Sequence, residues 1–273
     1  MSPTPPYDAA HLTSAYQLRY VWRGWPSKSV FPSEPDADFF EDISQEWEGD
    51  GIRLLEHTWT DDRLICLASV TPEVSPIFFT ARMKGRLQHK LRKYGTPVAF
   101  SRMVGMSTVG DASRSTVEKY IHNQVAREPL VDPKFKDFLR EFSVVSEDSD
   151  PGEPVATRSG RYWYNLHLVL VTRERSRLVD RESLATLRDA SLCIAETKGY
   201  RISALSVMPD HLHVALRGNI DHSPEEIALA FMNNLAHILG HAGLWKTSFY
   251  VGTFGEYDMW AIRQVVQSTS PAS

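Results

Sequence analysis

The feature that most constrains this chain is that it repeats itself. Three separated segments recur at a spacing of 148 residues. Tyr16-Gln17-Leu18-Arg19-Tyr20-Val21 lies over Tyr164-Asn165-Leu166-His167-Leu168-Val169. Gly51-Ile52-Arg53-Leu54 lies over Gly199-Tyr200-Arg201-Ile202, and Asp62-Arg63-Leu64-Ile65 over Asp210-His211-Leu212-His213. After a three-residue slip, Ser107-Thr108-Val109-Gly110 lies over Gly252-Thr253-Phe254-Gly255. A constant spacing through separated segments marks two copies of one unit. Between them, residues 146–160 are acidic and then rich in Pro and Gly, which reads as a linker. The expected division is a unit at 1–145, the linker, and a second unit at 161–273.

Each unit reads as strand, helix, strand, strand, helix, then a short strand and a final helix. The pattern predicts helices over Arg181 to Lys198 and about Pro224 to Ala242 in unit two, and about Pro76 to Lys93 in unit one. Final helices are expected over Ser113 to Ala126 and Asp258 to Val266. Alternating strands with two intervening helices predict an α+β fold of two ferredoxin-like units, each an antiparallel sheet with helices on one face.

The chain is 42% hydrophobic and 23% charged, ordinary for a globular protein. No segment resembles a signal peptide or a membrane span. Cys66 and Cys193 form no metal-type pair, which points to a reducing, cytoplasmic setting. The net charge of −4 argues against coating DNA through bulk positive charge. A local exception is Arg82, Lys84, Arg86, Lys90, Arg92 and Lys93, six cations in one short segment with no acid among them. A solvated helix face explains such a run as readily as a binding surface.

Val207-Met208-Pro209-Asp210-His211-Leu212-His213-Val214 reads as a turn entering a strand. Residues two apart on a strand share a face, so His211 and His213 point the same way. Two neutral imidazoles so placed suit one divalent ion, although His-x-His alone is weak evidence. His237 and His241 are four apart on a helical pattern but lack the Glu of a His-Glu-x-x-His site, so packing or surface roles fit them better. His167 and His222 are read the same way.

The phrase Met-Pro-Asp-His-Leu-His resembles the core motif of the HUH superfamily of single-strand DNA endonucleases, in which two histidines flank a hydrophobic residue. Within it, the chain is similar to the small single-tyrosine transposases of bacterial insertion sequences. Pro72-Glu73-Val74-Ser75-Pro76, Met83-Lys84-Gly85, Ser107-Thr108-Val109-Gly110 and Tyr120-Ile121-His122-Asn123-Gln124 carry the likeness in unit one. The resemblance implies that Tyr120 attacks a phosphate and that Gln124 joins His211 and His213 around Mg²⁺ or Mn²⁺. One helical turn between Tyr120 and Gln124 fits that division of labour. Tyr257 is the rival nucleophile, lying two residues after Gly255, whereas Tyr120 lies ten after Gly110.

The two halves are complementary. Unit one has Arg63 and Ile65 where unit two has its histidines, and unit two has Val265 and Thr269 near the positions of Tyr120 and Gln124. Members of the family act as homodimers in which one subunit's last helix serves the partner's metal site. The resemblance therefore implies a dimer fused into one chain, a pseudo-dimer with one composite site that is monomeric in solution. It further implies single-stranded DNA with a hairpin as partner, a 5′-phosphotyrosine intermediate, and a cytoplasmic, nucleoid-associated location. A free tyrosine, with a pKa near 10, is a poor nucleophile at neutral pH, so the ion's charge matters. The basic segment, through Arg82, Lys84, Arg86, Lys90 and Lys93, would meet hairpin phosphates, because Glu225 to Ala242 in unit two has no Lys or Arg. Trp22 and Trp25 offer base stacking, with core packing the plainer role. Two other readings remain: a one-site nicking-and-joining enzyme, and a catalytically inactive hairpin binder.

Overall fold

In the computed structural model, which describes residues 5–27, 30–127, 133–146 and 152–256, the elements run in this order: β1 (Thr13–Gln17), β2 (Arg19–Pro26), α1 (Ala37–Glu48), β3 (Ile52–Trp59), β4 (Leu64–Val70), α2 (Pro76–Lys93), β5 (Phe100–Val109), α3 (Arg114–His122), α4 (Gln124–Arg127), α5 (Pro133–Arg140), β6 (Ser143–Val145), β7 (Val155–Ala156), β8 (Gly160–Trp163), β9 (Asn165–Thr172), α6 (Arg181–Lys198), β10 (Arg201–Met208), β11 (His211–Arg217), α7 (Pro224–Ile238) and β12 (Trp245–Thr253). Each repeat is a β-α-β-β-α-β unit. Its four strands lie in the order β3-β4-β2-β5 in unit one and β10-β11-β9-β12 in unit two. This is the ferredoxin-like arrangement expected.

Local chemistry is duplicated with the topology. Ser75 caps α2 by accepting from the Phe78 N–H, and Ser223 caps α7 by accepting from the Glu226 N–H, each followed by Pro at the first helical position. Gly51 and Gly199 both hold left-handed backbone, with φ of 76° and 72°. The β3–β4 and β10–β11 pairs even share a bulge, between Leu54 and Glu56 in one and between Ile202 and Ala204 in the other.

The spacing is not the same everywhere. Arg23 lies opposite Ile65, and Val169 opposite His213. Ile65 and His213 are 148 apart, but Arg23 and Val169 are 146 apart, so the first strands align two residues away from the sequence reading. His167 therefore corresponds to Val21. The two tyrosines at Tyr16 and Tyr164 made the other register look right.

The first strands also divide. At Leu18 the chain leaves one sheet and enters the other. β1 pairs in parallel with β12, while β2 sits between β4 and β5. At Tyr164 the second repeat does the same: β8 pairs in parallel with β5, and β9 lies between β11 and β12. With β6 on β10 and β7 on β8, each sheet has six strands drawn from both halves. The sheets are thus not wholly antiparallel. The stretch read as linker contributes β7 and the start of β8.

Two threonines hold the crossings. Thr108 Oγ1 donates to the Phe254 carbonyl at 2.7 Å and accepts from the Asn165 N–H at 3.0 Å. Thr253 Oγ1 donates to the Val109 carbonyl at 2.6 Å and accepts from the Arg19 N–H at 2.9 Å. Nearby, the Ile77 N–H donates to the Ile220 carbonyl and the Glu225 N–H to the Pro72 carbonyl, again as equivalents. The two units form an intrachain pseudo-dimer.

Two helix bounds differ from expectation, and one helix is additional. The helix of Tyr120 is interrupted at Asn123, giving α3 and α4. α7 stops at Ile238 because Gly240, at φ 63°, turns the chain, so His241 lies beyond it. α5, with β6 after it, has no counterpart in the sequence reading. The helix expected over Asp258 to Val266, with Tyr257, Val265 and Thr269, lies outside the described residues. Among the described residues no helix is long and apolar enough to cross a membrane.

Gly110 lies at the crossing, where an added Cβ would come within 2.0 Å of the Thr253 carbonyl oxygen. Gly110→Ala is expected to destabilise the protein by about 2–3 kcal/mol in urea unfolding, as overpacking against immovable backbone does. Gly85→Ala on α2, where an added Cβ meets nothing within 4 Å, is expected to stabilise by about 0.5–1 kcal/mol.

Candidate active site

The β10–β11 hairpin turns through Pro209 and Asp210, with Met208 opposite His211. Leu212 is fully buried in the core that α6 and α7 cover, so His211 and His213 face the other side of the sheet. Their ring centres are 5.0 Å apart. His211 Nδ1 lies 2.6 Å from Asp210 Oδ1. Asp210 also accepts from Arg175 Nη1 at 3.0 Å. Burial raises the Asp210 pKa, but the hydrogen bonds from His211 and Arg175 outweigh it and leave the carboxyl below its usual value. Arg175 and its neighbour Glu174 hold φ of 54° and 55°, a left-handed backbone that places the guanidinium there at a cost in strain.

His213 is 5% exposed. Burial, with the adjacent His167 and His211, pushes its pKa far down, so the ring is neutral. Its Nδ1 lies 3.0 Å from His167 Nε2 on β9. The two rings stack with centres 5.3 Å apart. Burial also lowers the His167 pKa, to about 4. Tyr250 on β12 meets the His167 ring edge-on at 5.9 Å.

The second face of this sheet is covered by the other repeat. Val117 and Ile121 of α3 pack on Ala204, Ala215 and Phe254. The two alanines let the helix approach closely. Helices therefore lie on both faces of this sheet, rather than on one. Tyr120 projects from α3 with its ring centre 5.6 Å from that of His213 and 6.0 Å from that of His167. It remains 38% exposed. Arg127 places its guanidinium 4.9 Å from the Tyr120 ring centre. Gln124 is buried, and its Nε2 donates to the Tyr120 carbonyl at 3.3 Å, across the break between α3 and α4. Among the described residues it makes no hydrogen bond with either histidine.

The structure thus brings Tyr120 to His213, with Gln124 one broken turn further along. Sequence reasoning missed His167, Asp210, Arg175 and Arg127. The signal for Asp210 was in the hairpin itself. His167 was visible only through the corrected register.

The set suits a divalent ion. Each histidine has its Nδ1 engaged and its Nε2 without a hydrogen-bond partner among the described residues, the condition in which an imidazole offers a lone pair. Among the described residues no group of three or more His, Cys, Asp or Glu is arranged around a common point. In unit one the equivalent positions cannot serve. Ile65 packs with Val21, Leu67 and Val109 in an apolar cluster, and Arg63 turns to Asp62.

The basic segment is less free than its sequence implies. Arg86 donates to Asp50 and Glu46, and Lys90 to Asp42, all acids from α1 or the turn after it. Arg82 lies 3.7 Å from Asp50 and packs over Phe78. Lys84 donates to the Ser101 carbonyl. Arg92 and Lys93 are exposed. Trp22 is fully buried, whereas Trp25, with Trp163, Arg23 and Arg161, lines a cavity of about 780 Å³. His222 is tied to the Tyr200 hydroxyl at 2.9 Å.

Two repeated α+β units, one presenting a histidine pair and the other a tyrosine helix laid against it, define a class of paired, sheet-based units. The chain belongs to the IS200-like transposase family, whose model matches residues 13–124 and again residues 161–269. It is therefore a member of a family of DNA-processing enzymes. No curated protein matches it. It is similar to the crystal structure of a candidate transposase from Deinococcus radiodurans R1, at 25% identity over 40% of this chain and 92% of that one, with a TM-score of 0.32. It is also similar to a REP-associated tyrosine transposase bound to a REP hairpin, at 18% identity over 38% of this chain and 62% of that one, with a TM-score of 0.30.

Asp210→Ala removes the partner of both His211 and Arg175. It is expected to cost about 1–2 kcal/mol of stability, since it leaves a part-buried histidine nitrogen unpaired. The check is urea unfolding, with His211 ring resonances broadening in NMR spectra.

Proposed function

We propose that this protein cleaves and rejoins single-stranded DNA by transesterification at one composite site, using Tyr120 from the first repeat and His211 and His213 from the second. The observation that carries this reading is the Tyr120 ring resting 5.6 Å from that of His213, across the repeat boundary. Tyr120 Oη forms a bond to phosphorus and gives its proton to solvent. The bond from phosphorus to the 3′ oxygen breaks, and that oxygen leaves with a proton as a free 3′-hydroxyl. The protein keeps a 5′-phosphotyrosine, and attack by another 3′-hydroxyl reverses the step without ATP.

Each side chain has a part. α3, anchored by Val117 and Ile121, fixes the nucleophile over the histidine face. Arg127 supplies positive charge beside the attacking ring. His211, His213 and Gln124 would hold the ion, Mg²⁺ or Mn²⁺, which when bound neutralises charge gathered on the phosphate's non-bridging oxygens. The exposed edge of Tyr120 leaves room for a strand. With Arg63 and Ile65 at unit one's equivalent positions, each chain makes one cut at a time. That supports a one-site nicking-and-joining enzyme as the second reading.

A metal-dependent covalent adduct with a 3′-labelled single-stranded oligonucleotide carrying a hairpin is the expected result. EDTA and His211→Ala should each abolish it, and Tyr120→Phe should remove it entirely while leaving hairpin binding within about twofold. An adduct that persists in Tyr120→Phe and disappears in Tyr257→Phe would move the nucleophile to the rival position.

The hairpin is proposed to lie along the open side of α2. Lys93 makes no ion pair among the described residues, whereas Arg86 and Lys90 share their charge with α1. Lys93→Gln is expected to lower the slope of log affinity against log salt by about 0.7–0.9, one phosphate contact. Arg86→Gln should change that slope less and cost up to about 1 kcal/mol of stability instead. An unchanged slope in Lys93→Gln would remove that residue from the interface.

A further inference from the structure

We infer that His167 is a positioning residue for His213: its Nε2 accepts a hydrogen bond from His213 Nδ1–H and so fixes the tautomer in which His213 Nε2 carries a lone pair. This inference rests on the proposed site but makes a claim of its own, which holds in the metal-free protein.

The geometry is specific. The two nitrogens are 3.0 Å apart, and the rings stack at 19° with both residues on neighbouring central strands. His213 is buried, and no other described residue reaches its Nδ1. Left alone, a buried imidazole would divide between two tautomers, and only one of them presents Nε2 as an acceptor. For His211 the choice is made by Asp210, since a carboxylate only accepts. At His213 the same task falls to a neutral ring, so the direction of the bond depends on where His167 carries its own proton. Placing that proton on His167 Nδ1 turns its Nε2 into an acceptor. Tyr120 and Tyr250 flank the His167 ring edge-on and hold its plane.

The first repeat supplies an internal comparison. There the position of His213 is Ile65 and that of His167 is Val21, and the two are packed in one apolar cluster. The pair is present together in one repeat and absent together in the other. A core histidine kept only for packing has no reason to follow His213 in this way.

The test compares wild type, His167→Phe and His167→Gln. Phe fills the space without an acceptor, and Gln restores one through its amide oxygen. The first readout is long-range ¹H–¹⁵N correlation of the imidazoles in metal-free protein. Wild type and His167→Gln should show His213 as the Nδ1–H tautomer, and His167→Phe a mixture. The second is Mn²⁺ binding followed by electron paramagnetic resonance. His167→Phe should bind at least about tenfold more weakly, and His167→Gln within about threefold of wild type. Thermal melts establish that both variants are folded. Should Phe fail to fold, the tautomer in wild type and Gln decides alone. Wild-type His213 protonated on Nε2, or a folded His167→Phe with wild-type tautomer and Mn²⁺ affinity, would overturn the inference. Failure of wild type to bind Mn²⁺ at all would instead count against the proposed reaction, and the tautomer measurement would still decide the role of His167.

Discussion

Thr108 and Thr253 stand at the points where a strand ends against the other repeat, and each closes two backbone groups that no ladder reaches. Without them, the Asn165 and Arg19 amides and the Phe254 and Val109 carbonyls would meet at the centre with poor partners. An unpaired buried amide or carbonyl costs on the order of 1–3 kcal/mol, so four such groups are a substantial constraint. Satisfying them forces β1 to continue into the second sheet and β8 into the first. From that exchange follows the path of α3. Leaving β5 at Val109, the chain is already beside Phe254, and the nearest apolar surface open to it is Ala204 and Ala215 of the other repeat. Tyr120 reaches the histidines because the centre of the molecule is knotted by hydroxyls, not because the two sites attract each other.

The site itself is a study in holding imidazoles in fixed orientations. His213 is buried among other rings, where a charge would be expensive. His211, at the mouth of the hairpin, instead has a carboxylate beside it and a guanidinium behind that. Desolvation governs the charge of His213, whereas hydrogen bonding to Asp210, itself held by Arg175, orients His211. The asymmetry matches their positions: one at the third residue of the strand beneath α3, the other at the hairpin's edge.

Much of this was legible in the sequence. The repeat, the α6 and α2 bounds, the serine-proline starts of α2 and α7 and the paired direction of His211 and His213 all follow from local rules that tertiary structure did not override. The failures have physical causes. A tyrosine match set the first-strand register, but aromatic identity is weak evidence of register when pairing partners decide it. The two residues of difference concealed His167. The division of each first strand between sheets leaves no local mark, since a strand continues in the same backbone conformation when its neighbour changes. The cations on α2 looked unopposed because their acids lie on α1, some forty residues earlier, and charge runs reveal nothing about pairing across helices. The break at Asn123 was hidden for a similar reason: the Gln124 side chain supplies a hydrogen bond to Tyr120's carbonyl that the sequence assigns to the backbone.

The covalent join between the two units has a consequence for how this protein can change. In a pair of identical subunits, any substitution appears twice, so an alteration that helps one surface must be tolerated at its twin. Here Ile65 and Val21 could become a hydrophobic patch while His213 and His167 stayed as they are, because the gene spells each position separately. Such a chain is free to specialise its halves. Inheritance, rather than concentration, keeps the two halves matched.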